Sequence, residues 1–288
     1  MPGAQATERS RNSLGPSFHA SGAELGGPKL CRPHRWPKLA AMIYETGEYA
    51  DLPTPRGPMR THIYRPVAEG KYPAIILYSE IYQVTAPIRR AGEYLAGHGF
   101  LVVAPEVYHE FEEPGTVFEY NKEDTARGNE LKAEKEMSSF DDDAAALVEY
   151  LQGHEACSGK IGALGICLGG HLSFRACVTQ PEITAGASFY GTDLSQRSLG
   201  KGGNDGTLDR VGEIEAEMLM VWGRQDPHIP RDGRREIYDE MTDADVMFEW
   251  HEFNGQHAFM RDIGHRHDPD IATQVWALTL SFFTRILK

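Results

Sequence analysis

The sequence is poor in cysteine, in basic charge and in long apolar runs. Its four cysteines, Cys31, Cys157, Cys167 and Cys177, are too few and too irregularly spaced in 288 residues for a disulfide framework. A reducing, cytoplasmic compartment is therefore expected. The longest apolar run, 39–44, has six residues, whereas crossing a bilayer takes about 20, so no membrane helix is expected. Lysine and arginine number 29 against 42 aspartates and glutamates, a formal charge of −13. An acidic body repels phosphate backbones, which argues against nucleic acid as a partner. What is present is ordinary globular composition, 41% hydrophobic and 25% charged, enough for one large α/β domain.

Charge and composition change near residue 41. Residues 1–41 carry six basic and two acidic residues, are rich in Gly, Pro and Ser, and show no period of 2 or 3.6. They read as a disordered extension ahead of a single domain over 42–288. Their basic, acid-poor bias also suits organellar targeting, although the prolines and glycines oppose an amphipathic targeting helix. Cys31 and His34 have the spacing of half a zinc site, with no second pair nearby.

From residue 42 onward, strand-like and helix-like segments alternate. Strands are expected over 59–64, 72–78, 101–104, 160–166, 183–190, 218–222 and 246–253. Those at 72–78 and 101–104 are nearly continuously apolar, as when both faces of a sheet are covered. Helices are expected from Pro87, with the acidic triplet 141–143 in a first turn, near Gly169, over 231–241 and over 270–287, where Ile271, Val275, Leu278 and Phe282 share one face. This order implies a mostly parallel central sheet with helices on both faces.

The sharpest local signal is Gly165-Ile166-Cys167-Leu168-Gly169, between an apolar strand and a helical pattern. It has the form G-x-nucleophile-x-G with cysteine as the nucleophile. Small residues on either side let strand and helix approach closely around a strained turn, and the helix N-terminus favours a thiolate and a developing oxyanion. The plainer alternative is that Cys167 is a small buried hydrophobe. Two further residues follow in the order this architecture requires. Asp226 lies just past the strand at 218–222 and His257 just past that at 246–253, where a carboxylate, an imidazole and a thiol can converge on one sheet edge.

Competing readings exist at several positions. Asp193 is an alternative acid, or a turn residue. His265 and His267 with His257 suggest a metal site but lack a clear carboxylate partner. The stretch 200–207 is glycine-rich without the ending of a phosphate loop and reads as a flexible surface loop. Glu80, directly after the strand at 72–78, is either a site carboxylate or a solvated loop acid.

The segments Ser79-Glu80-Ile81-Tyr82-Gln83-Val84, Gly165 through Gly170, Gln225-Asp226 and Gln256-His257-Ala258-Phe259-Met260-Arg261 resemble the dienelactone hydrolase family (carboxymethylenebutenolidases), over roughly residues 42–288. The resemblance implies an α/β-hydrolase fold and a carboxylic ester hydrolase acting on ester or enol-lactone bonds through a thioester. It implies Cys167 as nucleophile, His257 as base, Asp226 as orienting acid, and the backbone N–H groups of Ile81 and Leu168 as the oxyanion hole. Glu80 would assist deprotonation of the cysteine, and Arg261 would match one of the family's carboxylate-binding arginines. Two features depart from the family pattern. Ala258 stands where the family has serine, and the nearest counterpart of a second arginine, Arg127, is followed four residues on by Leu131 rather than tyrosine. Tyr82, Tyr108 and His109 are then expected to line a pocket of different shape. No cofactor or metal is expected; the expected partner is a small ester or lactone, and monomer and homodimer both stay open. The rival reading is a non-catalytic small-ligand-binding protein that keeps the fold.

Overall fold

The computed structural model describes residues 44–288, and the extension expected over 1–41 lies outside them. The sheet has eight strands: β1 (Tyr44–Thr54), β2 (Gly57–Pro66), β3 (Tyr72–Tyr78), β4 (Leu101–Pro105), β5 (Cys157–Ile166), β6 (Ile183–Phe189), β7 (Glu217–Gly223) and β8 (Phe248–Phe253). Their spatial order is β1-β2-β4-β3-β5-β6-β7-β8. β1 and β2 pair antiparallel, β2 pairs antiparallel with β4, and every pairing from β4 to β8 is parallel.

The central strands run as unbroken apolar segments because helices cover both faces. In β4 every residue is buried, and in β3 only Tyr72 is partly exposed. The helices are α1 (Ala86–Gly97), α2 (Lys122–Glu134), α3 (Met137–Gly153), α4 (Leu168–Thr179), α5 (Arg231–Asp243) and α6 (Pro269–Leu287). Among the described residues no helix is long and apolar enough to cross a membrane.

Several elements differ from the sequence reading. β1 and α2 have no counterpart in it. The acidic triplet 141–143 lies in the second turn of α3 rather than the first, because the helix starts at Met137. Two of these acids face inward to partners: Asp141 pairs with Arg175 at 2.6 Å and Asp143 with Lys135 at 3.0 Å. On α6, Leu278 is only half-buried and Thr279 takes the fully buried position, its hydroxyl donating to Val275 O.

The stretch 200–207 is not simply a surface loop. Asp205 and Thr207 are buried, and Arg175 Nη1 donates to Asp205 O and to Thr207 Oγ1, both at 2.9 Å. His171 joins them, its Nε2 lying 2.9 Å from Thr207 Oγ1 and its Nδ1 2.9 Å from Thr192 O. This buried polar network ties the segment after β6 to α4.

Candidate active site

The carboxyl ends of β3, β5, β7 and β8 bring Glu80, Cys167, Asp226 and His257 to one cavity edge. Cys167 sits at the β5–α4 junction with φ +60°, a left-handed conformation that costs a non-glycine residue energy. Sterics fix the local sequence. A Cβ on Gly165 would lie 1.7 Å from Gly169 O, and one on Gly169 would lie 2.2 Å from Tyr78 O. Strand, turn and helix can pack this tightly only with glycine at both positions. α4 begins at Leu168, so its first N–H groups have no partner within the helix. The turn is held by backbone bonds from Cys167 N to Phe189 O (3.0 Å) and from Gly170 N to Cys167 O (2.9 Å).

His257 Nε2 lies 3.2 Å from Cys167 Sγ, and Nδ1 lies 2.6 Å from Asp226 Oδ2. Asp226 is buried and its other oxygen accepts from the backbone N–H of His228 at 2.8 Å. Burial disfavours the imidazolium, but negative charge on Cys167 and Asp226 outweighs it and pushes His257 up to about 10. The His228 ring meets that of His257 edge to face, 4.7 Å between centroids. Burial, and then the positive charge on His257, hold His228 below its ordinary value.

Glu80 is buried, not a solvated loop acid. Tyr120 donates its hydroxyl to Oε2 at 3.1 Å, and Arg261 Nη1 approaches Oε1 at 3.5 Å while its guanidinium lies 4.2 Å over the Tyr120 ring. Burial raises the Glu80 carboxyl above the usual range, against the opposing pull of Arg261 and His257.

Glu80, Tyr120, Cys167, His228, His257 and Arg261 line a cavity of about 880 Å³, within the size range of small-molecule sites. α2 forms one wall through Lys122, Thr125, Asn129 and Lys132, and Ile81, Tyr82, Gln196, His265 and Arg266 complete much of the rest. Tyr82 packs on Tyr120 with centroids 4.5 Å apart, and its hydroxyl lies 2.9 Å from Thr125 Oγ1. Arg127 is not among the lining residues. It sits off the face of α2 that carries Thr125 and Asn129, and pairs with Glu112 and Glu130, each at 2.8 Å. Neither the buried Tyr108 nor the half-buried His109 is among the lining residues: the first donates its hydroxyl to Gly128 O, the second lies 3.0 Å from Asp143.

Asp193 is engaged by Lys132 at 2.7 Å rather than by His257. Burial works against the Asp193 carboxylate, but Lys132 holds it below the usual range. Among the described residues no group of three or more His, Cys, Asp or Glu side chains is placed to hold a metal ion. Sequence reasoning missed His228, Tyr120, Lys132 and Arg266. The Asp-Pro-His run signals only the first, because it sets a backbone N–H two residues beyond Asp226 to cap the carboxylate.

Fold and site together define an α/β-hydrolase. The chain belongs to the dienelactone hydrolase family, whose model matches residues 59–287, and is a carboxylic ester hydrolase. A Saccharomyces cerevisiae protein named provisionally as a carboxymethylenebutenolidase is 40% identical over 231 residues, covering 77% of this chain and 83% of that protein. The carboxymethylenebutenolidase of Pseudomonas putida is 26% identical over 196 residues, covering 67% and 78%. In fold, the chain is similar to a Klebsiella pneumoniae protein provisionally described as a dienelactone hydrolase, with TM-score 0.74, 22% identity, and 84% and 98% of the two chains covered.

Proposed function

We propose that the protein hydrolyses a small ester or enol-lactone through a cysteine-linked acyl-enzyme. The supporting observation is the continuous contact Sγ–imidazole–carboxylate, 3.2 Å and 2.6 Å, opening on the 880 Å³ cavity. Cys167 Sγ attacks the substrate carbonyl carbon, and the carbonyl electron pair moves onto oxygen, held by the N–H groups of Leu168 and Ile81. Each such donor contributes about 2.7–4 kcal/mol to lowering the barrier. The tetrahedral species collapses, the C–O bond breaks, and the protonated His257 gives its proton to the departing alkoxide or enolate. Water then attacks the thioester while His257 takes its proton, and the thiolate leaves. Asp226 holds the imidazole in the tautomer and orientation this needs. Glu80, whose burial favours its protonated form, is the second proton-handling group at the same wall.

The lining also suggests the substrate's charge. In a chain of net charge −13, the cavity presents Lys122, Lys132, Arg261 and Arg266 against Glu80 and Asp193. Lys132 and Arg261 are paired, while among the described residues no carboxylate lies within salt-bridge distance of Lys122 or Arg266. An anionic lactone or ester fits this balance, with Arg266 and Lys122 taking the role that Arg127 does not reach, and Tyr82 offering a flat face to a conjugated ring.

Cys167→Ala tests the reading. Turnover of an aryl acetate is expected to fall at least about 10³-fold, and mass spectrometry of the wild-type protein should show an acyl adduct on Cys167. Activity retained within tenfold by the alanine variant, with no adduct, overturns the assignment.

A further inference from the structure

A second cavity, of about 310 Å³, lies between α1 and α6 on the far side of the Glu80–Arg261 pair. Its walls are mainly apolar: Ile88, Ala91 and Tyr94 from α1, Ala272 and Trp276 from α6, with Ile166 at the end of β5. Glu80 and Arg261 line both cavities. Ile166 directly precedes Cys167 in the chain.

We infer that this cavity is a second lobe of the active site, which takes an apolar acyl arm of about eight carbons, with Arg261 as its movable partition. The inference rests on the thioester reading above and extends it to the substrate's apolar part. The acyl group is the portion that stays bonded to Sγ, beside the end of β5 where Ile166 opens into the lobe, whereas the leaving group departs into the polar cavity. The partition is made of side chains, and Arg261 is weakly held there. Its nearest approach to Glu80 is 3.5 Å, and its buried Nε has no hydrogen-bond partner. A long, flexible side chain stacked on Tyr120 can swing aside without moving backbone. The lobe's volume of about 310 Å³ corresponds to about ten water-sized groups at ~30 Å³ each, enough room for an arm of about eight carbons. Trp276, its ring tilted against that of Tyr94 with centroids 4.9 Å apart, supplies an optical probe inside the lobe.

The experiment compares kcat/KM for 4-nitrophenyl octanoate and acetate within each variant, so that general damage cancels in the ratio. Ala272→Phe fills the lobe and should lower the octanoate-to-acetate ratio at least about tenfold relative to wild type. Arg261→Ala removes the partition and should raise it several-fold. A ratio within twofold of wild type in Ala272→Phe overturns the inference. Binding of 2-octanone to wild-type protein, read as a change in emission absent from Trp276→Phe, provides a measure that needs no turnover. No Trp276-dependent signal, or equal affinity in Ala272→Phe, also overturns it. If instead Cys167→Ala remains active, the thioester reading fails, whatever the lobe binds.

Discussion

Gly128 on α2 offers a test of whether Ile81 carries an oxyanion donor, because it packs against the carbonyl and Cβ of Ile81 from a helix that contributes no proposed reacting group. A methyl at Gly128 would stand 2.5 Å from Ile81 O and 3.0 Å from Ile81 Cβ. The helix cannot easily retreat, since the fully buried Tyr108 donates its hydroxyl to Gly128 O at 3.0 Å. Two stability effects oppose each other in Gly128→Ala. Helix propensity favours alanine by about 1 kcal/mol, and overpacking against Ile81 costs about 1–3 kcal/mol. The net is a loss of roughly 0–2 kcal/mol, a Tm drop of at most about 8 °C. Catalysis should respond far more strongly. Losing an oxyanion donor outright costs about 10²–10³ in kcat, and pushing Ile81 aside, and with it the N–H across its Cα, by a few tenths of an ångström should cost at least about tenfold. KM should change less, because the donor acts on charge that develops only in the transition state. The assay is steady-state hydrolysis of an aryl acetate alongside thermal unfolding by circular dichroism. A variant with kcat within twofold of wild type would refute the reasoning, because it would mean either that Ile81 is not a donor or that the turn yields without consequence.

Three further outcomes are expected. Because His257 is pushed up to about 10, the stability it contributes is fully present below its ordinary value near 6.5 and is lost as pH rises through about 10. The alkaline limb of kcat/KM should fall in that same region, and Asp226→Asn, which removes one of the charges raising His257, should move it to lower pH in a pH–rate profile. Glu80 has the opposite effect on stability at neutral pH. Its carboxyl is raised in the fold by burial, so wild-type stability declines as pH rises through the folded-state value. Glu80→Gln should therefore raise Tm at about pH 7 more than at about pH 4 while lowering activity, as seen by differential scanning fluorimetry and turnover; an equal shift at both pH values would contradict the linkage. Asp205→Ala should strip the buried network of a carboxylate that accepts from Thr207 N at 2.8 Å and lies 3.5 Å from His171 Nε2, at a cost of about 3 kcal/mol or roughly 6–12 °C in Tm; a change under 2 °C would show that the network contributes little.

The parts of the molecule legible in the sequence are those where local sterics leave one solution. Covered on both faces, β3 and β4 have to be apolar throughout, and the β5–α4 turn admits only glycine at 165 and 169. Asp226 and His257 were placed by chain order and by the strands that precede them, and the structure sets them 2.6 Å apart. β1 could not be read in the same way: it is an edge strand, mostly exposed, held by antiparallel pairing to β2, and it shows no alternation to detect.

α2 was illegible for a more consequential reason. Only Gly128 and Leu131 are buried along its 13 residues, so it has no apolar stripe, and its docking depends on contacts distant in sequence. Lys132 reaches Asp193, and Lys135, buried just beyond the helix end, reaches Glu110 at 2.5 Å and Asp143. Yet α2 presents Lys122, Thr125, Asn129 and Lys132 to the substrate cavity. Reaction chemistry and substrate choice are thus encoded differently in this chain. The proposed reacting groups sit where backbone packing tolerates almost no substitution, while one wall of the cavity belongs to a polar helix whose outward positions bear little of the folding energy. Lys122, Thr125 and Asn129 can therefore change, and with them the charge and shape the cavity selects, at stability costs of the order of 0.5 kcal/mol usual for surface sites, whereas any side chain at Gly165 or Gly169 would dismantle the turn that presents the thiol.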